Sequence, residues 1–173
     1  MKIGIYGGSF NPIHFGHIGL VRWTTEHTDL DEVWMMVSPN NPLKDTSVLA
    51  NEQVRLKQVK QAMQNIPHVV VSDFEFALPR PSFTANTLRE LQRAYPENEF
   101  TLIIGEDNWA IFHHWREWEY ILQNFRIMIY PRHGTTENST PHKRQNAKNV
   151  LFLHDAPYYD ISSTALRERN ANK

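Results

Sequence analysis

The sequence predicts an α/β protein with a doubly wound, mostly parallel β-sheet. Short apolar segments alternate with longer segments of helical periodicity along all 173 residues. This alternation is typical of parallel strands that are joined by crossover helices. No internal repeat and no linker-like stretch interrupts the pattern, so we expect a single domain over residues 1–173.

Six segments are short, apolar and often β-branched, which is typical of buried strands. They are Ile3–Tyr6, Glu32–Val37, His68–Ser72, Phe100–Ile104, Arg126–Tyr130 and Val150–Leu153. The helices are predicted at Phe15–Glu26, Glu52–Gln64, Thr84–Ala94, Asn108–Gln123 and Ser162–Arg169. In the second helix, for example, Val54, Leu56, Val59 and Met63 recur at helical spacing. The polar segment Gly134–Lys148 is predicted to be a surface loop.

The composition excludes several classes of protein. With 40% apolar and 21% charged residues the chain is globular, and a net charge of −1 lacks the basic signature of nucleic-acid binding. No apolar run approaches the roughly 20 residues that cross a membrane. The absence of cysteine excludes disulfides and thiolate zinc sites. Since strand-like sequence begins at once, with no leader before it, we expect a cytoplasmic protein.

The most informative segment is Gly7–His17, GGSFNPIHFGH, which directly follows the first predicted strand. Its two glycines have no Cβ, so the backbone N–H groups can approach a ligand closely. A helix that begins near Phe15 would add free N–H groups and the positive end of its dipole. His14 and His17 are three residues apart and would lie on one side of that helix start. The segment therefore predicts a site that holds a phosphate and acts on it.

Two simpler interpretations of this segment remain open. A glycine pair after a strand is also typical of an ordinary strand-to-helix turn, and the segment matches neither the dinucleotide fingerprint nor the P-loop. Two histidines at this spacing could be metal ligands, but no acidic residue lies beside them and no cysteine completes a zinc set. We therefore expect no metal site in the protein itself.

Three polar loops are predicted to meet at one edge of the sheet. Gly7–His17, Ser38–Lys44 and Gly105–Asn108 follow the first, second and fourth predicted strands. In doubly wound sheets, ligands bind at the carboxyl ends of the strands, near the point where the strand order reverses. We therefore expect these loops to converge on one crevice.

A second candidate phosphate site lies near the end of the chain. Ile161–Arg167, ISSTALR, combines hydroxyl groups with an arginine, and Asp160 or Ser162 would cap a helix that begins there. Free N–H groups and hydroxyls bind oxyanions, and Arg167 can add a bidentate contact. A well-capped terminal helix with a surface arginine explains the same residues equally well.

Together, GxFxPxHxGH and ISSTxxR resemble the signature of the nucleotidyltransferase superfamily. Within it, the chain resembles the bacterial nicotinate-nucleotide adenylyltransferases. Further matches occur in the order SFTANTL at Ser82–Leu88, IIGEDNWAIFHHW at Ile103–Trp115 and YPRHG at Tyr130–Gly134. The resemblance covers most of the chain and implies a Rossmann-like nucleotidyltransferase fold.

The resemblance also implies a reaction. Members of that family join the 5′-phosphate of nicotinate mononucleotide to the α-phosphate of ATP and release pyrophosphate, with Mg²⁺ carried by the ATP phosphates. Because the nucleophile is already a phosphate anion, positioning and charge neutralisation can supply most of the catalysis. The expected partners are ATP, nicotinate mononucleotide and pyrophosphate, without nucleic acid or membrane. The oligomeric state stays open, a homodimer included.

Site residues follow from the resemblance, position by position. The implied catalytic residues are His14, His17 and Arg167. The implied ATP-binding residues are Gly7, Gly8, Ser9, Phe10, Lys44, Gly105, Asp107, Ile161, Ser162 and Ser163. The implied mononucleotide-binding residues are Asn40, Thr84, Thr87 and Trp115, whose indole would stack on the pyridine ring.

Several of these residues also have structural interpretations, since Lys44 is equally typical of a solvated surface and Asp107 of a helix N-cap. Aromatic residues at the spacing of Trp109, Phe112 and Trp115 are often core residues, and His113 is either a phosphate contact or a surface residue. The residues leave three alternative functions open. These are transfer to nicotinamide mononucleotide, transfer to another phosphorylated acceptor such as phosphopantetheine, and a nucleotide sensor without turnover.

Overall fold

The computed structural model describes residues 1–39, 50–132, 148–159 and 162–172. Within these ranges, six parallel strands form a sheet with the order β3-β2-β1-β4-β5-β6. The predicted site residues Asn40, Lys44 and Ile161 lie outside the described residues, as does nearly all of the predicted loop Gly134–Lys148.

The strands agree with the prediction to within two residues at each end. They are β1 Lys2–Gly8, β2 Glu32–Val37, β3 Val69–Ser72, β4 Glu99–Gly105, β5 Arg126–Tyr130 and β6 Val150–Phe152. The α-helices are α1 Phe15–His27, α2 Glu52–Met63, α3 Thr84–Ala94, α4 Glu106–Ala110, α5 Trp118–Asn124 and α6 Ser163–Ala171. Short 3₁₀ helices lie at Phe74–Ala77 and Phe112–His114.

The segment Asn108–Gln123, predicted to be mostly helical, is so, but it is divided into α4, a 3₁₀ turn and α5. Glu117, at the N-cap of α5, has the left-handed φ of 54° that interrupts a regular helix. Trp109 and Phe112 are fully buried with ring centroids 5.2 Å apart, and Trp115 lies 5.3 Å from Phe112. A regular helix turns about 100° per residue and would carry Trp115 roughly 120° away from Trp109. The interruption of the helix allows the rings of Trp109, Phe112 and Trp115 to stay close together.

Apolar side chains cover both faces of the sheet, as expected for parallel strands. One face packs against α1 and α2, through residues such as Leu20 and Val59. The other face packs against α3 and α5, where Leu88 and Ile121 are completely buried. Because the faces are filled by helices, the ends of the strands are where a ligand can reach the sheet.

The strand order reverses at β1, which places a crevice at its carboxyl end. β1 pairs in parallel with β2 on one side and with β4 on the other. The connections on the two sides of such a reversal run to opposite faces of the sheet and leave a gap between them. The loop that follows β1 therefore lies at the ligand-binding position of the fold.

Gly19, in the middle of α1, allows the chain before α6 to pack closely. A Cβ at this position would lie 2.8 Å from Cε2 of Tyr159 and still closer to its Cζ and hydroxyl oxygen. The Tyr159 ring also packs edge-on against Phe15, with centroids 5.7 Å apart. This contact guides the chain from β6 toward α6.

We predict that Gly19→Ala lowers the free energy of unfolding by about 1–2 kcal/mol, because the whole Tyr159 ring must move and overpacking outweighs the gain in helix propensity. Urea unfolding measures the change. Gly7→Ala is the matched control, since no atom lies within 4 Å of its added Cβ. Equal stability of the two variants would show that Tyr159 moves away without cost.

Candidate active site

Two adjoining cavities open at the carboxyl ends of the strands. The larger, of about 240 Å³, lies at the ends of β1, β2 and β4, and the smaller, of about 20 Å³, lies beside the start of α1. Tyr6 and Tyr130 line both cavities. Their hydroxyl groups are 3.4 Å apart, and burial raises the pKa of each phenol, so the pair is a neutral boundary between the cavities.

The three predicted loops do meet at the larger cavity. Gly7 and Gly8 at the end of β1, Ser38 after β2 and Asn108 after β4 all line it. The same wall carries three of the residues that the resemblance assigns to the mononucleotide: Thr84, Thr87 and Trp115. A single cavity thus collects side chains from distant parts of the sequence.

Two buried polar atoms of this cavity have no hydrogen-bond partner among the described residues. They are Oγ of Ser82, a residue 7% exposed, and Nε1 of Trp115. Both side chains line the cavity, and an indole N–H can only donate. Arg116 adds a positive charge to this wall, with its guanidinium 4.8 Å from the centre of the Phe83 ring. The positive charge of this wall suits an anionic ligand group.

A buried carboxyl group joins two walls of the same cavity. Oε2 of Glu75 accepts a hydrogen bond of 2.7 Å from the Ser38 hydroxyl, and Oε1 accepts one of 2.7 Å from the Thr87 hydroxyl. Burial raises the pKa of Glu75, and the two hydroxyl donors oppose that shift. The bridge connects the end of β2 to the first turns of α3.

The two motif histidines lie face to face beside the smaller cavity. Their ring centroids are 3.7 Å apart at an angle of 24°. His14 is the N-cap of α1, and its backbone N–H donates to Nδ1 of His17 over 3.2 Å. Because Nδ1 of His17 accepts this bond, the proton of the neutral ring lies on Nε2. The backbone thereby selects the tautomer of His17.

His14 is the more deeply buried histidine, with 8% of its surface exposed. Burial, helped by the positive charge of Arg132, lowers the pKa of His14 to about 4. Its Nδ1 has no hydrogen-bond partner among the described residues. At neutral pH the ring is uncharged, so the positive charge at this end of the site comes from other groups.

The C-terminal motif packs directly against the loop that follows β1. The Ser163 hydroxyl donates to the carbonyl oxygen of Pro12 over 2.8 Å, and Nη1 of Arg167 donates to the carbonyl oxygen of Asn11. Ser162 caps α6, since its Oγ accepts from the Ala165 N–H. The two motifs that lie 150 residues apart in the chain are thus neighbours in space.

Some predicted ATP-binding residues lie near the cavities without lining them. Ser9 and Phe10 are buried, and the Phe10 ring packs edge-on against His17, with centroids 5.1 Å apart. Asp107 occupies the first turn of α4, whose N-cap is Gly105, so the N-cap interpretation of Asp107 is wrong. Its carboxylate lies 3.7 Å from Nε of Arg132.

Arg55 lines neither cavity but connects the loops of the site through hydrogen bonds. It is 1% exposed, and its Nη1 donates to the carbonyl oxygens of Ser9 and Ser38, each over 2.7 Å. Nη2 reaches the carbonyl oxygen of Pro39 at 3.2 Å, and Nε reaches that of Ala50 at 3.0 Å. One side chain of α2 therefore binds the loops after β1 and β2 at once.

Comparison with known proteins decides the family. The family model described as cytidylyltransferase-like matches residues 5–169. A curated protein of Bacteroides fragilis, named "Probable nicotinate-nucleotide adenylyltransferase", is 48% identical over 96% of this chain and 81% of its own length. A protein of the same name from Flavobacterium psychrophilum is 44% identical over 100% of this chain and 88% of its own length. The chain belongs to the nicotinate-nucleotide adenylyltransferase family.

The fold agrees with this family. A solved structure described as Plasmodium falciparum nicotinic acid mononucleotide adenylyltransferase complexed with NaAD superposes with a TM-score of 0.79 and covers 96% of this chain and 82% of that one. At 19% identity this likeness concerns the fold alone, and it confirms the predicted Rossmann-like architecture.

No described helix is long and apolar enough to cross a membrane. The described residues contain no group of three or more metal-ligating side chains.

Several residues of this adenylyltransferase site were missed by the sequence reasoning. Arg132 lines the smaller cavity and lies close enough to His14 to lower its pKa. The segment YPRHG contains it, and a basic residue just after a strand end was the available signal. Ser82 begins the motif SFTANTL, but it was not singled out as a site residue. Nothing in the sequence marked Glu75 as a cavity residue, because the packing of α3 and the preceding 3₁₀ helix brings it there.

We predict that Arg55→Met lowers the free energy of unfolding by roughly 2–4 kcal/mol, since four carbonyl oxygens, in two buried and two partly buried contacts, lose their donor. Urea unfolding measures the loss. Lys57→Met on the exposed face of α2 is the matched control and should stay within about 0.5 kcal/mol. A small loss in Arg55→Met would show that water replaces the guanidinium at these carbonyls.

We predict that His14 destabilises the folded protein in acid. Its folded pKa of about 4 lies below the unfolded value of 6.5, so the unfolded chain takes up this proton first. Stability therefore falls as the pH drops from about 6.5 toward 4, by about 2 kcal/mol between pH 7 and pH 5. His14→Gln should remove that part of the pH dependence in urea unfolding at the two pH values. An unchanged slope would contradict the lowered pKa.

Proposed function

We propose that this protein transfers the adenylyl group of ATP to nicotinate mononucleotide, giving nicotinate adenine dinucleotide and pyrophosphate in NAD biosynthesis. The observation that carries the proposal is the position of the two cavities. A pocket walled by Trp115 and the threonines of α3 adjoins the stacked pair His14 and His17 at the end of β1. Family membership supplies the substrates to be tested.

The proposed chemistry is one displacement at phosphorus. A phosphate oxygen of the mononucleotide attacks the α-phosphorus of ATP, the bond from that phosphorus to the bridging oxygen breaks, and pyrophosphate leaves with the bonding electrons. The nucleophile is already an anion, so no general base is required. Catalysis then consists of alignment and of stabilising the charge that develops on the transferred group.

The triphosphate is proposed to lie between α1 and α6. Nε2–H of His17 donates to a phosphate oxygen, and the neutral His14 donates without adding charge. Arg132 and Arg167 supply positive charge from two sides, and Mg²⁺ enters with ATP. The packing of Ser163 and Arg167 against the loop after β1 supports this arrangement, because it places both motifs around one space.

The mononucleotide is proposed to occupy the larger cavity. Its ring stacks on the Trp115 indole, and its carboxylate accepts hydrogen bonds on the wall formed by Ser82, Thr84 and Thr87. The roles of Asn40, Lys44 and Ile161 stay predictions.

The direct test is pyrophosphate release with ATP, Mg²⁺ and nicotinate mononucleotide. Absence of pyrophosphate above background would reject the proposal. Tight binding of ATP or dinucleotide without release would instead favour a nucleotide sensor.

We predict that His17→Ala lowers kcat by on the order of 10²-fold or more, the usual cost of losing one donor to the transition state. Steady-state kinetics measures the change. His27→Ala, at the opposite end of α1, is the matched control and should keep its turnover, because His27 stacks on Trp23 away from both cavities. Near-normal turnover of His17→Ala would remove His17 from the mechanism.

We predict that nicotinate mononucleotide is preferred over nicotinamide mononucleotide by at least about tenfold in kcat/KM. The positive charge of Arg116 on the cavity wall favours a carboxylate over a neutral amide. Competition between the two mononucleotides at equal concentration measures the preference. Equal or reversed preference would assign the protein to the amide substrate.

A further inference from the structure

Glu75 is the only acidic side chain among the described residues that line the larger cavity. It is 6% exposed, and its two oxygens are held by the hydroxyls of Ser38 and Thr87. A carboxyl group buried in a pocket without a described ion-pair partner is costly to maintain. Such a group calls for an explanation in terms of the ligand.

The hydrogen bonds of Glu75 favour its ionised form. Each carboxyl oxygen accepts from a hydroxyl at 2.7 Å, which stabilises a carboxylate, whereas burial raises the pKa of Glu75 and opposes ionisation. The other described ionisable groups that face the cavity are Tyr6, Tyr130, His114 and Arg116. The two phenols stay neutral because burial raises their pKa, and His114 and Arg116 lie on the exposed rim. When Glu75 is ionised, the interior of the cavity carries one negative charge.

The ring of a pyridine mononucleotide carries a complementary charge. Its nitrogen is bonded to the ribose, which makes the aromatic ring a cation. An indole face attracts such a cation, and so does a carboxylate in a pocket of reduced dielectric constant. The ring's own carboxylate is an anion, and Arg116 on the rim of the cavity supplies a positive charge for it.

Resting on the proposed function, we propose that Glu75 determines specificity for ring charge: it selects the cationic pyridinium ring over an uncharged ring of the same shape. The ligand that tests this is the 1,4-dihydropyridine form of nicotinate mononucleotide, which keeps the phosphate, the ribose and the carboxylate but has a neutral ring. The negative charge of Glu75 favours the oxidised form and gives nothing to the reduced form.

Glu75→Gln removes the negative charge of this side chain and keeps its shape. The amide oxygen can still accept from Ser38, and the amide nitrogen can donate to the Thr87 hydroxyl. That hydroxyl already lies 3.3 Å from the carbonyl oxygen of Phe83 and can turn its proton to it. The bridge between β2 and α3 is then kept while the charge is lost.

The experiment is calorimetric titration of the full-length protein with each mononucleotide in the absence of ATP. The wild-type protein should bind the oxidised form roughly tenfold more tightly than the reduced form, the scale of one charge pair in a partly screened site. Glu75→Gln should bring that ratio close to one by weakening the oxidised form. Glu90→Gln, an exposed charge on the same α3, is the matched control and should keep the wild-type ratio.

Two results would overturn the proposal: a wild-type ratio near one, or a ratio that Glu75→Gln leaves unchanged. Glu75→Asp keeps the negative charge and should keep the preference for the oxidised form even if both affinities fall. Loss of that preference in Glu75→Asp would also contradict the proposal. Pyrophosphate release by the wild-type protein is measured separately. Binding that prefers the pyridinium form without turnover would reject the proposed function and leave the role of Glu75 standing.

Discussion

The arrangement of the site depends on one buried cation. Arg55 brings a guanidinium into the protein interior, where it donates to carbonyl oxygens of the loops after β1 and β2 and of the segment before α2. Ser9 and Ser38 directly follow two neighbouring strands, and the carbonyl oxygens of Ser9 and Pro39 would otherwise be buried without this donor. By satisfying them together, a residue outside both cavities sets the separation of the loops that line the larger one.

The two cavities of the site differ in the charged groups that line them. Around the smaller cavity, His14 and His17 are stacked and Arg132 supplies a positive charge. In the larger cavity, the buried acidic group is Glu75, held by two hydroxyls. The neutral hydroxyl pair of Tyr6 and Tyr130 separates the two cavities. In the proposed reaction, a cation beside one cavity and a carboxyl group in the other suit a triphosphate and a pyridinium ring.

Much of the site was predictable because its motifs are local. The glycine turn, the two histidines and the C-terminal serines each depend on a few consecutive residues at the start of a helix, and the strand pattern places them at one edge of the sheet. The division of residues 108–123 into three helical pieces was not predictable, because helical spacing of aromatic residues fits one helix as well as three short ones. Glu75 was not identified because its partner Ser38 lies 37 residues away in the sequence.

The sequence by itself determined the parallel sheet, the strand boundaries and the two phosphate motifs, since hydrophobic period and turn composition are properties of neighbouring residues. Only the tertiary structure decided that His14 is neutral at pH 7, that Arg55 connects the loops, and that the carboxyl group of Glu75 lies inside the larger cavity. Burial and charge arise from residues that meet across the fold. The pKa of a buried side chain and the sign of the charge in a cavity therefore cannot be derived from one segment of the sequence alone.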